Sequence, residues 1–162
     1  MFKKNNGFTL IELMVTIVVL GIILAIAVPS FDSMIKNYRL QSVTNQLIDS
    51  FNLARNTALS RNQVITIEAS GTTEKKEWNG GWVVKVGAEE IRVFEGVSGV
   101  VTINATNTGA GTNIKEIAFS GNGRLSAPNT GAEFTVTDDR SGVKKRVVNV
   151  NLSGQTRITL KD

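Results

Sequence analysis

The chain opens with a charged stub and then turns abruptly apolar. Lys3 and Lys4 precede Gly7, and from Leu13 to Val28 nearly every residue is hydrophobic. Phe8 to Val28 is 21 residues, and at 1.5 Å rise per residue such a helix is about 31 Å long, enough to cross a hydrocarbon core of about 30 Å. Lysines before an apolar run hold that end in the cytoplasm, so the residues after Pro29 are expected on the far side of the membrane. Beyond Pro29 the pattern changes. Phe31, Met34, Tyr38, Val43, Leu47, Phe51, Ala54 and Ala58 recur mostly at intervals of three and four, with Lys36, Arg39, Asp49 and Arg55 largely between them. This spacing predicts an amphipathic helix over 30–62 whose single apolar stripe packs against a sheet.

After Asn62 the period shortens to two. Val64–Ala69, Trp82–Val86, Glu90–Phe94, Val100–Asn104, Lys115–Phe119, Glu133–Thr137, Lys145–Asn151 and Thr156–Leu160 read as short strands separated by Gly- and Asn-rich turns. The expected fold class is therefore α+β, a long N-terminal helix packed on a C-terminal antiparallel β domain over 63–162. Trp78 and Trp82 are expected in the core, and Gly121-Asn122-Gly123 reads as a hairpin turn, since it lacks the lysine and the strand-to-helix setting of a phosphate loop. Pro29 cannot donate a backbone N–H and disfavours the helical conformation at Val28, which predicts a kink or local unwinding there.

Composition narrows the chemistry. The chain has no Cys and no His, which removes thiolate nucleophiles, imidazole bases and the commonest metal ligands together. No pair among the 14 acidic residues is marked by a motif. Hence no catalytic residue, metal site or cofactor is expected, and the chain is not expected to be an enzyme. Net charge is +4, which permits contact with nucleic acid or anionic lipid without requiring it.

A conventional secretory signal ends in a small-residue cleavage site after its apolar run, and Ala25-Ile26-Ala27 offers one version. Thr9 and Glu12 at the front of the run do not fit that scheme. Gly7-Phe8-Thr9-Leu10-Ile11-Glu12 instead resembles the processing motif of type IV prepilins and type II secretion pseudopilins. The resemblance implies that residues 1–7 are a leader, that a prepilin peptidase cuts after Gly7, and that Phe8 becomes an N-methylated N-terminus. It further implies that residues 8–29 first anchor the chain in the inner membrane, with the C-terminal domain in the periplasm, and later become the core of a filament. Glu12 is costly in a membrane helix, by about 2.5–3.5 kcal/mol at its centre. Family precedent pairs this carboxylate with the N-terminal ammonium of a neighbouring subunit; snorkelling to the interface is the alternative. Gly21 is either a close-packing point between helices or incidental.

Three later patterns, Ala54-Arg55 to Arg61-Asn62, Gly80-Gly81-Trp82-Val83-Val84, and Ile117-Ala118-Phe119 with Gly121 and Gly123-Arg124, together with Gly154 before a last strand, resemble the GspH/FimT family of minor pilins and pseudopilins. That resemblance implies a minor pilin of a type IV pilus at or near the filament tip, or alternatively the H subunit, a minor pseudopilin, of type II secretion. Its partners would be other pilins or pseudopilins, the prepilin peptidase and inner-membrane lipid.

A last candidate surface is basic. Residues 121–162 hold seven Lys or Arg against four acids, and Lys144-Lys145-Arg146 follows the turn Asp138 to Gly142. FimT-like minor pilins can bind DNA in natural transformation, an ability associated with a Gly-Arg-x-Arg pattern near the C-terminus; this chain matches it only partly, as Gly154-Gln155-Thr156-Arg157, and double-stranded DNA is the partner this would imply. The resemblance carries over Arg157 alone as a DNA contact, since Gln155 stands where the pattern has its other arginine; Lys144, Lys145, Arg146 and Arg124 are candidate phosphate contacts by their charge, and a solvated hairpin with offsetting charges is the alternative.

Overall fold

The computed structural model describes residues 7–71, 77–97 and 99–161. Leader residues 1–6, including Lys3 and Lys4, and Asp162 lie outside the described residues. One helix, α1 (Leu10–Arg61), precedes nine strands: β1 (Ile65–Ala69), β2 (Gly81–Val86), β3 (Glu89–Glu95), β4 (Thr102–Asn107), β5 (Glu116–Phe119), β6 (Leu125–Ala127), β7 (Ala132–Thr137), β8 (Lys145–Val150) and β9 (Thr156–Lys161). A 3-10 turn, Glu77–Gly80, leads into β2. The chain divides into two compact units, Met1–Tyr38 and Arg39–Asp162, and the division falls inside α1.

In the first unit the helix has no core of its own. Its apolar side chains are all exposed, from Phe8 at 76% to Phe31 at 64%. By length and composition this segment can cross a membrane. The helix continues through Pro29 without interruption, so the local unwinding expected there is not seen. Proline removes only its own hydrogen bond to the carbonyl four residues back, and the neighbouring bonds carry the turn. Phe31, Met34 and Tyr38 are exposed as well. Their spacing continues the stripe, and within the second unit its burial starts at Leu40.

In the second unit the stripe Leu40, Val43, Leu47, Phe51, Ala54 and Ala58 shares one core with both sheets. Thr44 and Ser50 are buried on the same face at little cost. Their hydroxyls donate to the carbonyls of Leu40 (2.6 Å) and Leu47 (2.7 Å), the usual way such residues sit within a helix. The helix ends in a Schellman motif: Asn62 takes φ +50° and the Gln63 N–H donates to the Ala58 carbonyl at 3.3 Å.

The two sheets are antiparallel throughout, one ordered β3-β2-β1-β5-β6 and the other β4-β7-β8-β9. Period-two burial in β7, where Ala132, Phe134 and Val136 are buried and their neighbours are not, shows how alternation aims one face at the core. A file of aromatic rings connects the layers. Phe51 of α1 meets Phe134 of β7 at 4.8 Å, Phe134 meets Trp78 edge-on at 4.8 Å, and Trp78 leads through Trp82 to Phe94 of β3. Such contacts add about 0.5–1.5 kcal/mol each beyond area burial. The Trp78 indole donates to the Ile114 carbonyl at 2.8 Å, whereas the buried Trp82 indole nitrogen has no acceptor among the described residues.

Candidate functional site: the helix N-terminus and the C-terminal hairpin

Two places concentrate the residues singled out from the sequence. At the start of α1, the Glu12 N–H donates to Thr9 Oγ1 at 3.3 Å, and the Thr9 N–H donates to Glu12 Oε2 at 3.5 Å. This is a capping box: Thr9 is the N-cap and Glu12 the third helical residue, each satisfying a donor that the first helical turn leaves open. The Thr-x-x-Glu spacing carries that signal in plain sight. Glu12 therefore has a partner within its own chain. Both bonds are long and exposed, so they are weak ties that another donor can replace. Gly7 and Phe8, flanking the cleavage position, are exposed and precede the helix.

The second place is the β8–β9 hairpin. Lys145 lies opposite Lys161 and Asn149 opposite Arg157, so Lys145, Arg157 and Lys161 share one face while Arg146, opposite Leu160, lies on the other. Lys145 and Asn149 are four positions apart on β8, about 13 Å along the strand. The structure thus does not gather Lys144 to Arg146 and Arg157 into a single cluster. Lys144 and Lys145 line a small cavity with Leu40 and Asp138, near one end of the helix stripe. Arg157 belongs to the opposite end of the hairpin. Arg124 is exposed beside Asn149 and Asn151 in an open depression. Lys161 also bonds Glu133 at 2.9 Å, which offsets part of the positive charge of this face.

Gly154 and Gln155, which stand in the Gly-x-x-Arg stretch, are occupied in building the hairpin turn. Asn151 Oδ1 accepts from the Gln155 N–H at 2.9 Å, and the Gly154 N–H donates to the Asn151 carbonyl at 2.9 Å. Gly154 is buried at φ +75°, where a Cβ would sit 2.2 Å from the Gly123 carbonyl oxygen and 3.1 Å from Arg55 Nε. Arg55 in turn donates from Nε to the Gly123 carbonyl at 3.0 Å and from its terminal nitrogen to the Ser153 carbonyl at 3.4 Å. One helix side chain therefore ties the β5–β6 turn to the β8–β9 turn. The spacing pattern that suggested ligand contact marks, for Gly154, a position fixed by packing.

Among the described residues, no group of three or more acidic side chains is placed to hold a metal ion. The larger depressions are open and lined by unrelated polar and small residues.

A family model described as type II transport protein GspH matches residues 43–154. A second, the prokaryotic N-terminal methylation motif, matches residues 2–28. Two crystal forms of the type IV minor pilin FimU of Pseudomonas aeruginosa are similar in fold. One aligns at 23% identity with a TM-score of 0.62, covering 78% of this chain and 91% of FimU. The other aligns at 24% identity with a TM-score of 0.58, covering 75% and 92%. With its long apolar helix, its two antiparallel sheets and a family match over more than half its length, the chain belongs to the GspH family of type IV pilin-like proteins.

Proposed function

We propose that this chain is a minor pilin of a type IV pilus, cut after Gly7, N-methylated at Phe8, held in the inner membrane by residues 8–29 with its β domain in the periplasm, and assembled at or near the filament tip. The observation that carries the reading is the N-terminal part of the helix, Leu10 to Tyr38, whose large apolar side chains are exposed. Such a surface needs lipid or neighbouring helices around it. Glu12 supports the assembly step. Its capping bonds at 3.3 and 3.5 Å are weak enough to be exchanged for the ammonium of a neighbouring subunit, which forms a stronger, charge-assisted bond in the absence of water. The prepilin peptidase, other pilins and membrane lipid are the partners this requires.

Mass spectrometry of the chain produced with its peptidase tests the first step. Loss of residues 1–7 with one added methyl is expected, and cleavage after Ala27 would end the reading. Glu12→Gln keeps the shape of the side chain and removes its charge; it should leave cleavage intact and strip the chain from sheared filaments.

The description of the matching family favours a second reading, a minor pseudopilin of a type II secretion system. Deleting the gene separates the two: loss of pili and twitching supports the first, and loss of protein secretion with pili intact supports the second. DNA binding in natural transformation rests on the exposed Lys145 and Arg157 on one hairpin face. If they contact phosphates, Arg157→Ala lowers the slope of log affinity against log salt by about 1, and an unchanged slope excludes Arg157 as a contact.

A further inference from the structure

The four-stranded sheet turns one face to the core and presents the other as a bed of hydroxyl groups. Ile103 and Ala105 of β4 and Ala132, Phe134 and Val136 of β7 belong to the core, so alternation sends Thr102, Asn104, Thr106, Glu133, Thr135 and Thr137 outward. Register continues this face onto the last two strands. Glu133 lies opposite Asn149 and Thr135 opposite Val147, while Lys145, Val147 and Asn149 lie opposite Lys161, Thr159 and Arg157. Five of these twelve outward residues are threonine, and the one aliphatic side chain, Val147, is buried.

The make-up of the face selects its ligand. Protein-binding surfaces place aromatic and apolar side chains at their centre, and none is exposed among these twelve. The hydroxyls of Thr102, Thr106, Thr135 and Thr137 have no hydrogen-bond partner among the described residues, and that of Thr159 accepts a long bond, 3.3 Å, from Asn149. Such groups bond water until a ligand hydroxyl takes its place. The charge is positive and sparse. Glu133 is the one acid among the twelve and is bound to Lys161 at 2.9 Å. Lys145 and Arg157 have no ion-pair partner among the described residues and stand four strand positions, about 13 Å, apart. Arg124 adds a third exposed cation in the depression that it shares with Asn149. Duplex DNA carries a charge for about every 1.7 Å of its axis, so most phosphates meeting this face would lie against neutral threonine and asparagine. A polymer with few charges and many hydroxyls matches it instead.

We propose that this face binds an acidic polysaccharide: its threonine hydroxyls and asparagine amides bond sugar hydroxyls, and Lys145, Arg157 and Arg124 meet widely spaced carboxylates. Binding of this kind goes beyond the filament reading and does not depend on it. The face lies on the side of its sheet away from the helix stripe from Leu40 to Ala58, so a filament cored by helices would turn it toward the surroundings.

The full-length chain in nanodiscs of phosphatidylcholine, a lipid without net charge, is titrated with polygalacturonate, with dextran and with duplex DNA at one salt concentration. Polygalacturonate should bind about tenfold more tightly than dextran, which offers no carboxylate, and more tightly than DNA. Lys145→Ala with Arg157→Ala should weaken polygalacturonate binding about fivefold, as two exposed charges do. Thr135→Val with Thr137→Val keeps the charge and the β-branched shape and removes two hydroxyls. It should weaken polygalacturonate binding about tenfold and leave any DNA binding unchanged, whereas Thr135→Ser with Thr137→Ser, which keeps both hydroxyls, should retain it. Urea midpoints equal to that of the parent chain show that the variants keep the fold. No binding of polygalacturonate, equal binding of dextran or DNA, or valine variants that bind as the parent does overturns the proposal. Absence of the chain from sheared filaments removes the filament reading and leaves these titrations as they are.

Discussion

Replacing Gly154 by alanine tests whether the clamp made by Arg55 holds the β domain together, and Gly142 supplies the matched control. Both glycines have nearly the same backbone conformation, φ +75° and +76°, but a Cβ at Gly142 meets nothing within 4 Å, while one at Gly154 would lie 2.2 Å from the Gly123 carbonyl oxygen. Each substitution incurs the left-handed penalty of about 1–2 kcal/mol. Part of this is offset, by about 0.4–1 kcal/mol, because alanine restricts the unfolded chain. Gly142→Ala should therefore cost roughly 1 kcal/mol or less. Gly154→Ala must in addition push the β5–β6 turn away and break the Arg55 bond to Gly123 at 3.0 Å. Hydrogen bonds to charged groups contribute about 1.5–3 kcal/mol, and the partly exposed Arg55 belongs at the lower end, so the total is roughly 3 kcal/mol. Urea unfolding followed by tryptophan fluorescence measures this well, since Trp78 and Trp82 are both buried within the β domain. Equal losses for the two variants would refute the clamp.

The same assay separates the tryptophans: Trp78→Phe loses the bond to Ile114 and should cost about 1 kcal/mol more than Trp82→Phe, which gives up no hydrogen bond. Thr9→Ala should speed amide exchange over Leu10 to Glu12, with a cap loss of about 1 kcal/mol, and Thr9→Ser should restore protection. Asn62→Gly should be neutral or slightly stabilising, since Asn62 is left-handed at φ +50°, whereas Asn62→Val should lower the unfolding midpoint.

The long periodic features were legible in the sequence, and the short or topological ones were not. The apolar run to Val28, the stripe from Val43 to Ala58 and the alternation in β7 and β8 each repeat one physical instruction over several residues. β6, Leu125–Ala127, is three residues with one bulky side chain, too short to show any period. Spacing also could not say which part of the stripe is covered, and Phe31, Met34 and Tyr38 turn out exposed. The basic residues illustrate a different limit. Lys144, Lys145, Arg146 and Arg157 are close in sequence count, but strand register assigns Arg146 to the opposite face and separates Lys145 from Arg157. The capping box at Thr9 and Glu12 was readable and is local, so it needed no topology.

Arg55 and the stripe beneath it also have a mechanical consequence. A subunit drawn out of a membrane by its helix is loaded along that helix, and in the β domain the load enters a rod whose apolar stripe touches both sheets at once. Sliding the rod would shear these contacts together instead of peeling them in succession. At its far end, Arg55 adds a latch across two turns. If the chain is extracted from a membrane as proposed, its β domain is braced in the direction of the pull, and the Arg61–Glu89 ion pair at 3.1 Å carries that bracing to the outer strand β3.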